Sequence, residues 1–234
     1  NKLNPTNISS IIHLGACSST TEQNIDYLNN NNTDYTITLA KWSIRNKIRF
    51  IYASSAATYG DGRHGFDDEA KIENLTPLNP YGWSKQNADL WLKNNNQFNS
   101  VVGLKFFNVY GKYEDYKGSM QSMVSKATNQ IKKTGKIKLF KSHVAEYSHG
   151  NQIRDFIYVD DCIQIITWLL DNPNINGLFN CGSGIENTWN DLANIIFKTL
   201  NIPPNIEYID MPDSIRNQYQ YYTKATMKKL KNTG

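Results

Sequence analysis

Asn79-Pro-Tyr-Gly-Trp-Ser-Lys85 sets a tyrosine and a lysine one helical turn apart, at Tyr81 and Lys85. In a helix that spacing puts both side chains on one face. A phenol titrates near pKa ~10, so it needs help to act as a base near neutrality. An adjacent ammonium supplies it by favouring the phenolate. A hydroxyl from Ser54-Ser55-Ala-Ala-Thr-Tyr-Gly60, either Ser54 or Ser55, can bond the same reacting oxygen. Together these groups can move a proton on or off an alcohol or sugar hydroxyl while hydride moves to a cofactor. A bare Tyr-x-x-x-Lys recurs by chance. Its place after a strand ending in two serines gives this one its meaning.

Other reactive side chains have plainer readings. Lys117 lies in a polar stretch and reads by itself as a surface lysine. Cys17 reads as a small, half-buried residue rather than a nucleophile, and Cys162 and Cys181 read as core. His13 is expected to be structural. His143 and His149 lack close ligand spacing, so no metal site is expected. Arg154 could simply pair with Asp155, and Tyr110 and Tyr113 read as packing residues.

The elements that must position these groups alternate in type. Short apolar runs at 11–14, 48–53, 101–107, 137–140, 177–181 and 205–209 predict strands. Helices are predicted over 22–46, 80–95, 119–134, 159–171, 188–200 and 223–232, although Asn29 to Asn32 is a poor helix-forming run. Residues 60–79, 108–118 and 141–152 read as loops. Alternating strands and helices imply an α/β fold: a parallel sheet with helices on both faces. Ligands bind such sheets beyond the C-terminal ends of the strands. That is where Gly15-Ala-Cys-Ser18, Ser54-Ser55 and Asn108 fall.

With 234 residues, 39% hydrophobic, the chain can bury a real core, which excludes a disordered tail or a coiled coil. No apolar run reaches the ~18 residues of a membrane span, and no secretory signal opens the sequence. Three cysteines are no disulfide framework, so a reduced, cytoplasmic protein is expected. The net charge is +4, and Lys133, Lys136, Lys138 and Lys141 form one basic stretch, read as solvated surface. No nucleic-acid motif accompanies it, so neither nucleic acid nor membrane is an expected partner.

Four ordered stretches carry a resemblance. They are Ser54-Ser55-Ala-Ala-Thr-Tyr-Gly60, Asn79-Pro-Tyr-Gly-Trp-Ser-Lys85, Phe107-Asn-Val-Tyr-Gly111 and Arg154-Asp-Phe-Ile-Tyr-Val-Asp-Asp161. They resemble the signatures of extended short-chain dehydrogenase/reductases, the nucleotide-sugar epimerases and dehydratases. His13-Leu-Gly-Ala-Cys-Ser-Ser-Thr-Thr-Glu22 and Lys117-Gly-Ser-Met-Gln-Ser122 narrow the resemblance to the ADP-glycero-manno-heptose 6-epimerase family. The resemblance implies a Rossmann-like sheet over 1–110 and a smaller substrate-binding α/β region over 111–234, with about 153–182 returning to the sheet.

It also implies NADP as cofactor, an ADP-heptose substrate and epimerisation at C6″ through a transient ketone, with Tyr81 and Lys117 as the two acid/base groups. Lys85 would orient the nicotinamide ribose and lower the tyrosine pKa, and Ser55 would be the active-site serine. Leu14, Gly15, Ala16, Cys17, Ser18, Asn31 and Val109 match cofactor contacts, alongside Tyr81 and Lys85. Ser55, Asn108, Ser119, Lys126, Phe140, Arg154 and Tyr219 match the substrate side. Arg154 would pair with the diphosphate. A homo-oligomer serving lipopolysaccharide core assembly is the implied setting.

The sequence departs from the family pattern at its front. The strand, glycine-rich turn and helix that hold a cofactor diphosphate are absent. The chain therefore reads as an N-terminally truncated fragment, expected to be inactive and weakly folded alone, with an open edge on its first strand. Lys126 stands where some members carry histidine, and the loop from His143 to Gly150 is longer than in some. Two other readings stay open: another nucleotide-sugar epimerase or dehydratase, and a non-catalytic nucleotide-sugar-binding domain.

Overall fold

The computed structural model describes residues 4–216 and 219–234. Its main sheet is parallel, in the order β1 (Ser10–His13), β2 (Arg49–Ser55), β3 (Val101–Phe106), β8 (Gly177–Cys181). Register runs Ile12 to Ile51, Ile51 to Val102 and Val102 to Gly177. Between β1 and β2 lie α1 (Ile25–Leu28) and α2 (Tyr35–Arg45). The helix α3 (Pro80–Asn94) links β2 to β3, and α5 (Val159–Asp171) leads into β8.

The pleat sorts each strand's side chains onto two faces. Phe50, Tyr52 and Val101 pack with Ala40 of α2 and Leu92 of α3. Ile51, Val102, Leu104 and Phe179 pack with Cys162, Ile166 and Leu169 of α5. Helices thus cover both faces, as the alternating pattern predicts.

A second apolar cluster lies outside this sheet. The helices α4 (Met123–Thr134) and α6 (Trp189–Leu200) pack through Ile131, Ile196 and Phe197 against β5 (Ile137–Phe140). β5 pairs in parallel with β10 (Ile206–Ile209). Short ladders link the two clusters: β4 (Asn108–Tyr110) with β7 (Phe156–Tyr158), and β6 (Ile153–Arg154) with β9 (Asn187–Thr188). Two further short helices are α7 (Asp213–Arg216) and α8 (Lys228–Lys231).

Three boundaries differ from expectation. The segment read as one helix over 22–46 is broken by a π-helical turn at Asn29–Asp34, at the asparagine run itself. The helix expected from 119 begins at Met123, because Gly118 turns at φ +53° and Ser122 caps the start. Residues 223–232 are helical only at Lys228–Lys231.

Before α8 the chain is an extended strap whose backbone bonds to distant segments. Ile153 N–H bonds Tyr221 O, and Thr226 N–H bonds Phe66 O. The Asn180 amide donates to both Phe66 O and Thr226 O. The basic stretch is surface, with Lys136 and Lys138 paired to Glu207 and Lys141 to Asp210. Among the described residues, no helix is long and apolar enough to cross a membrane.

Asp155 joins the strap to the sheet. Its fully buried carboxylate accepts Ser183 N–H and Oγ–H (both 2.7 Å), Gly184 N–H (2.8 Å) and Ala225 N–H (3.0 Å). These are charge-assisted bonds with no water to replace them. Asp155→Asn turns an amide NH2 toward N–H donors and should cost about 2–4 kcal/mol in urea unfolding. Ser183→Ala should cost about 1 kcal/mol in the same measurement.

Candidate functional site

Beyond the C-terminal ends of β1, β2 and β3 lies a cavity of about 310 Å3. Its wall includes Leu14, Ala16, Cys17 and Ser18 from the turn after β1, Ser54 and Ser55 from β2, and Tyr81 and Lys85 from α3. Asn79 caps α3, accepting Gly82 N–H at 2.8 Å, and Pro80 opens its first turn. Gly82 permits a close approach: a Cβ there would stand 2.9 Å from Ala57 O and 2.8 Å from Pro77 Cβ. The helix start, and Tyr81 with it, is therefore pressed against the turn that follows Ser55.

Lys85 is buried and donates to Ala53 O at 2.9 Å. Burial lowers its pKa to about 8, against the opposing pull of Asp89. Burial raises the Tyr81 phenol above its ordinary range, with the Ser55 hydroxyl partly offsetting this. The phenol is thus protonated at neutral pH, against the lowered pKa expected from Lys85: burial outweighs the Ser55 bond.

Under these groups sits a buried polar cluster that sequence reading missed. Asp89, one turn past Lys85 on α3, accepts Tyr52 OH (2.7 Å), Ser54 Oγ–H (2.7 Å) and Lys105 Nζ (3.0 Å). Lys105 also donates to Thr58 Oγ1, which in turn donates to Ser55 O. Gly103 leaves space for Tyr52, since a Cβ there would come within 2.6 Å of the phenol oxygen.

Asn32, on the π-helical turn, is a second missed residue. It accepts Cys17 N–H (2.8 Å), donates to Cys17 O (3.0 Å) and to Ser84 Oγ (2.9 Å), and is fully buried. It locks the turn containing Gly15 and Cys17 to the first turn of α3. Asn31 instead donates to Tyr27 O and is not part of this cavity's wall. The only sequence signal for Asn32 was an asparagine run that looked like a helix fault.

A second cavity, of about 560 Å3, adjoins the first and shares Ser18, Thr20, Phe107 and Asn108 with it. Lys117, Ser119, Lys126 and Val109 line it. Asn108 is anchored through its N–H and side-chain amide to Asp155 O, at 3.1 and 2.9 Å.

Trp189 lies at the wall of this second cavity and against Arg154. The buried Arg154 guanidinium lies 5.3 Å from the Trp189 ring and 5.0 Å from the Tyr219 ring. It makes no ion pair with Asp155, whose carboxylate is taken up by backbone donors. Burial lowers its pKa. Phe140 meets Tyr219 edge-on at 6.4 Å.

The remaining residues are placed as follows. His13 is buried, bonded to Thr36 Oγ1 at 3.1 Å, which makes it structural. Cys162 and Cys181 are core. Tyr110 packs on Tyr158, but Tyr113, expected to pack, is 85% exposed. No metal-binding cluster occurs among the described residues. A larger hollow of about 720 Å3 beside the strap, near Phe66 and Lys228, holds none of the predicted site residues.

A phenol, a buried lysine and a serine at the strand ends of a parallel sheet are a set of groups that can exchange a proton with a hydroxyl-bearing ligand. Residues 2–182 match the model of the NAD dependent epimerase/dehydratase family, and the chain belongs to that family.

Within it the similarity is to heptose epimerases. The chain is 48% identical over 231 residues to ADP-L-glycero-D-manno-heptose-6-epimerase of Nitratidesulfovibrio vulgaris (strain DP4), covering 98% of this chain and 72% of that protein. The Fusobacterium nucleatum protein of the same name is 42% identical, over 100% of this chain and 73% of its own length.

Among solved structures, the Helicobacter pylori ADP-L-glycero-D-manno-heptose-6-epimerase superposes with a TM-score of 0.79 at 28% identity, covering 94% of this chain. This chain spans 64% of that one. UDP-N-acetylglucosamine 4-epimerase of Methanobrevibacter ruminantium gives 0.81 at 26% identity, covering 95% of this chain and 69% of its own.

The depressed Lys85 pKa has a consequence for stability. The unfolded chain holds the lysine proton up to about pH 10.5, and the fold releases it near pH 8. Burial of the ammonium therefore costs stability that is recovered only as pH rises through that window. Lys85→Met should raise unfolding stability at pH 7 by about 2–3 kcal/mol, with the difference fading toward pH ~10.5. Urea unfolding of both chains at several pH values checks this.

Proposed function

We propose that this site epimerises ADP-D-glycero-D-manno-heptose to its L-glycero form by oxidising and re-reducing C6″ through a transient ketone. The observation that carries the reading is the pair of joined cavities. One holds Tyr81, Lys85 and Ser55, the other holds Lys117, and Ser18, Phe107 and Asn108 form their common wall. A carbinol carbon at that junction has an acid/base candidate on either side, which inversion requires and a one-faced dehydrogenase does not.

In this reading Tyr81 takes or returns the C6″ hydroxyl proton on one face and Lys117 does so on the other. Lys85 keeps a positive charge beside Tyr81 and stabilises its phenolate. Ser55 bonds the substrate oxygen. Arg154 carries no carboxylate among the described residues. Its planar fork suits the substrate diphosphate. Asn108, Ser119, Lys126, Phe140 and Tyr219 complete the sugar-nucleotide side.

The nicotinamide half of NADP fits the first cavity by its donor set, a buried lysine and a phenol at the strand ends. When bound it supplies reversible hydride exchange with C6″. Leu14, Ala16, Cys17 and Ser18 would line it there, with Gly15 in the same turn, Val109 on the adjoining wall of the second cavity and Asn31 on the turn behind. The choice of NADP over NAD, a cytoplasmic homo-oligomer and a role in lipopolysaccharide heptose supply belong to the same proposal and rest on the family resemblance.

The glycine-rich diphosphate cradle is not among these 234 residues, so the test uses this chain preceded by such a segment. Incubated with NADP and ADP-D-glycero-D-manno-heptose, it should form the L-glycero epimer, followed by NMR. Tyr81→Phe and Lys117→Met should each lower turnover by about 10²-fold or more. Sugar-nucleotide binding without any epimer would refute the activity, and full activity of Lys117→Met would refute the two-sided mechanism.

A further inference from the structure

We propose that Glu114 is the positioning residue for Lys117, tying shut the neck of the loop that carries this amine. The proposal rests on the reading of Lys117 as an acid/base group and adds what fixes it in place.

Between Lys112 and Ser119 the chain is exposed at every residue except Glu114, which is 6% exposed. A lone buried carboxylate in an exposed run needs a reason, because burying a charge is costly unless donors satisfy it. Its donors are all at the neck of the loop. Oε1 accepts Gly111 N–H at 3.0 Å and Ser122 Oγ–H at 2.8 Å, and Oε2 accepts Ser122 N–H at 2.5 Å. Gly111 directly follows β4, and Ser122 is the N-cap of α4. One side chain therefore joins the end of a strand to the start of a helix across residues 112–121.

The loop tip is then built from the same residue. Glu114 O accepts Lys117 N–H at 2.9 Å. Gly118 reverses the chain at φ +53° and ψ −121°, and the Gln121 amide donates to Asp115 O at 3.2 Å. Lys117 emerges on the wall of the second cavity, along with Ser119 and Lys126. None of the Glu114 side-chain bonds goes to Lys117 Nζ, so the amine stays available to the cavity.

Burial pushes the Glu114 carboxyl up, but the Ser122 and Gly111 donors and the charge of Lys117 outweigh it and hold it below the usual range. The tie is complete at neutral pH and is released only as pH falls through that lowered value.

Glu114→Gln keeps shape but sets an NH2 against the Ser122 or Gly111 N–H. In the 234-residue chain, trypsin should then cut after Lys117 about tenfold faster, well beyond what the accompanying fall in the thermal midpoint accounts for. Glu114→Asp should lie between, and Ser122→Ala should give a smaller rise.

In the chain preceded by a glycine-rich segment, Glu114→Gln should lower kcat about tenfold with KM nearly unchanged, partly restored in Glu114→Asp. Unchanged cleavage and kcat would overturn the proposal. So would cleavage that merely follows a fall in the thermal midpoint, which would make Glu114 a general stabiliser. If Lys117→Met stays active, the acid/base reading fails, and the cleavage assay still decides whether Glu114 ties the loop. If Lys117→Met is inactive while Glu114→Gln is normal, only the positioning role fails.

Discussion

The Asp89 carboxylate fixes how α3 lies on the sheet. From α3 it reaches Tyr52 and Ser54 on β2 and Lys105 on β3, all out of water. An ion pair this deep is expensive to desolvate and adds little net stability compared with apolar packing. It does define one register, because a helix shifted by a residue would leave both Asp89 and Lys105 charged and unsatisfied. Tyr81 and Lys85 sit at the start of that same helix, and Ser54 is both a partner of Asp89 and part of the cavity wall. The geometry between phenol, amine and serine is thus set from below by a group that need not touch substrate.

Other buried carboxylates repeat this device at the joints of the fold. Asp155 gathers the turn after β8 and the strap, and Glu114 gathers the two ends of the Lys117 loop. Each satisfies backbone N–H groups that no helix or sheet would pair. Each stands beside a segment that lines the cavities. Regular secondary structure supplies the platform, and Asp155 and Glu114 hold the irregular pieces against it.

The regular part was readable from the sequence. Short apolar runs such as Ile48 to Ala53 and Val101 to Phe107, alternating with helical segments, read as buried parallel strands, and α3 announces itself through Pro80. Tyr81, Lys85 and Ser55 were legible for the same reason, being tied to strand and helix ends. The ladders at Asn108–Tyr110 and Ile153–Arg154 were not, because strands of two or three residues carry no periodic signal and exist only through their distant partners. Asp89, Glu114 and Asn32 were missed on similar grounds. A polar residue inside a helix or loop looks like surface until the fold shows what it faces. The asparagine run misled most directly: its poor helix propensity was real, and the π-helical turn is how the fold uses it.

The strap also bears on the order in which the site is made. Gln220 and Thr223 form part of the first cavity's wall, and the strap binds Asn180, Asp155 and Phe66, all earlier in the chain. On the ribosome, every strand of the main sheet and every candidate catalytic side chain is synthesised before this segment. The sheet can therefore assemble while the cleft still lacks a wall. Docking the strap closes loops that span much of the chain, the entropically slow kind of contact. A nascent chain stopped short of residue 220 would carry Tyr81, Lys85 and Ser55 in place yet hold them in an open groove. Closure of the site thus reports that translation has passed this point.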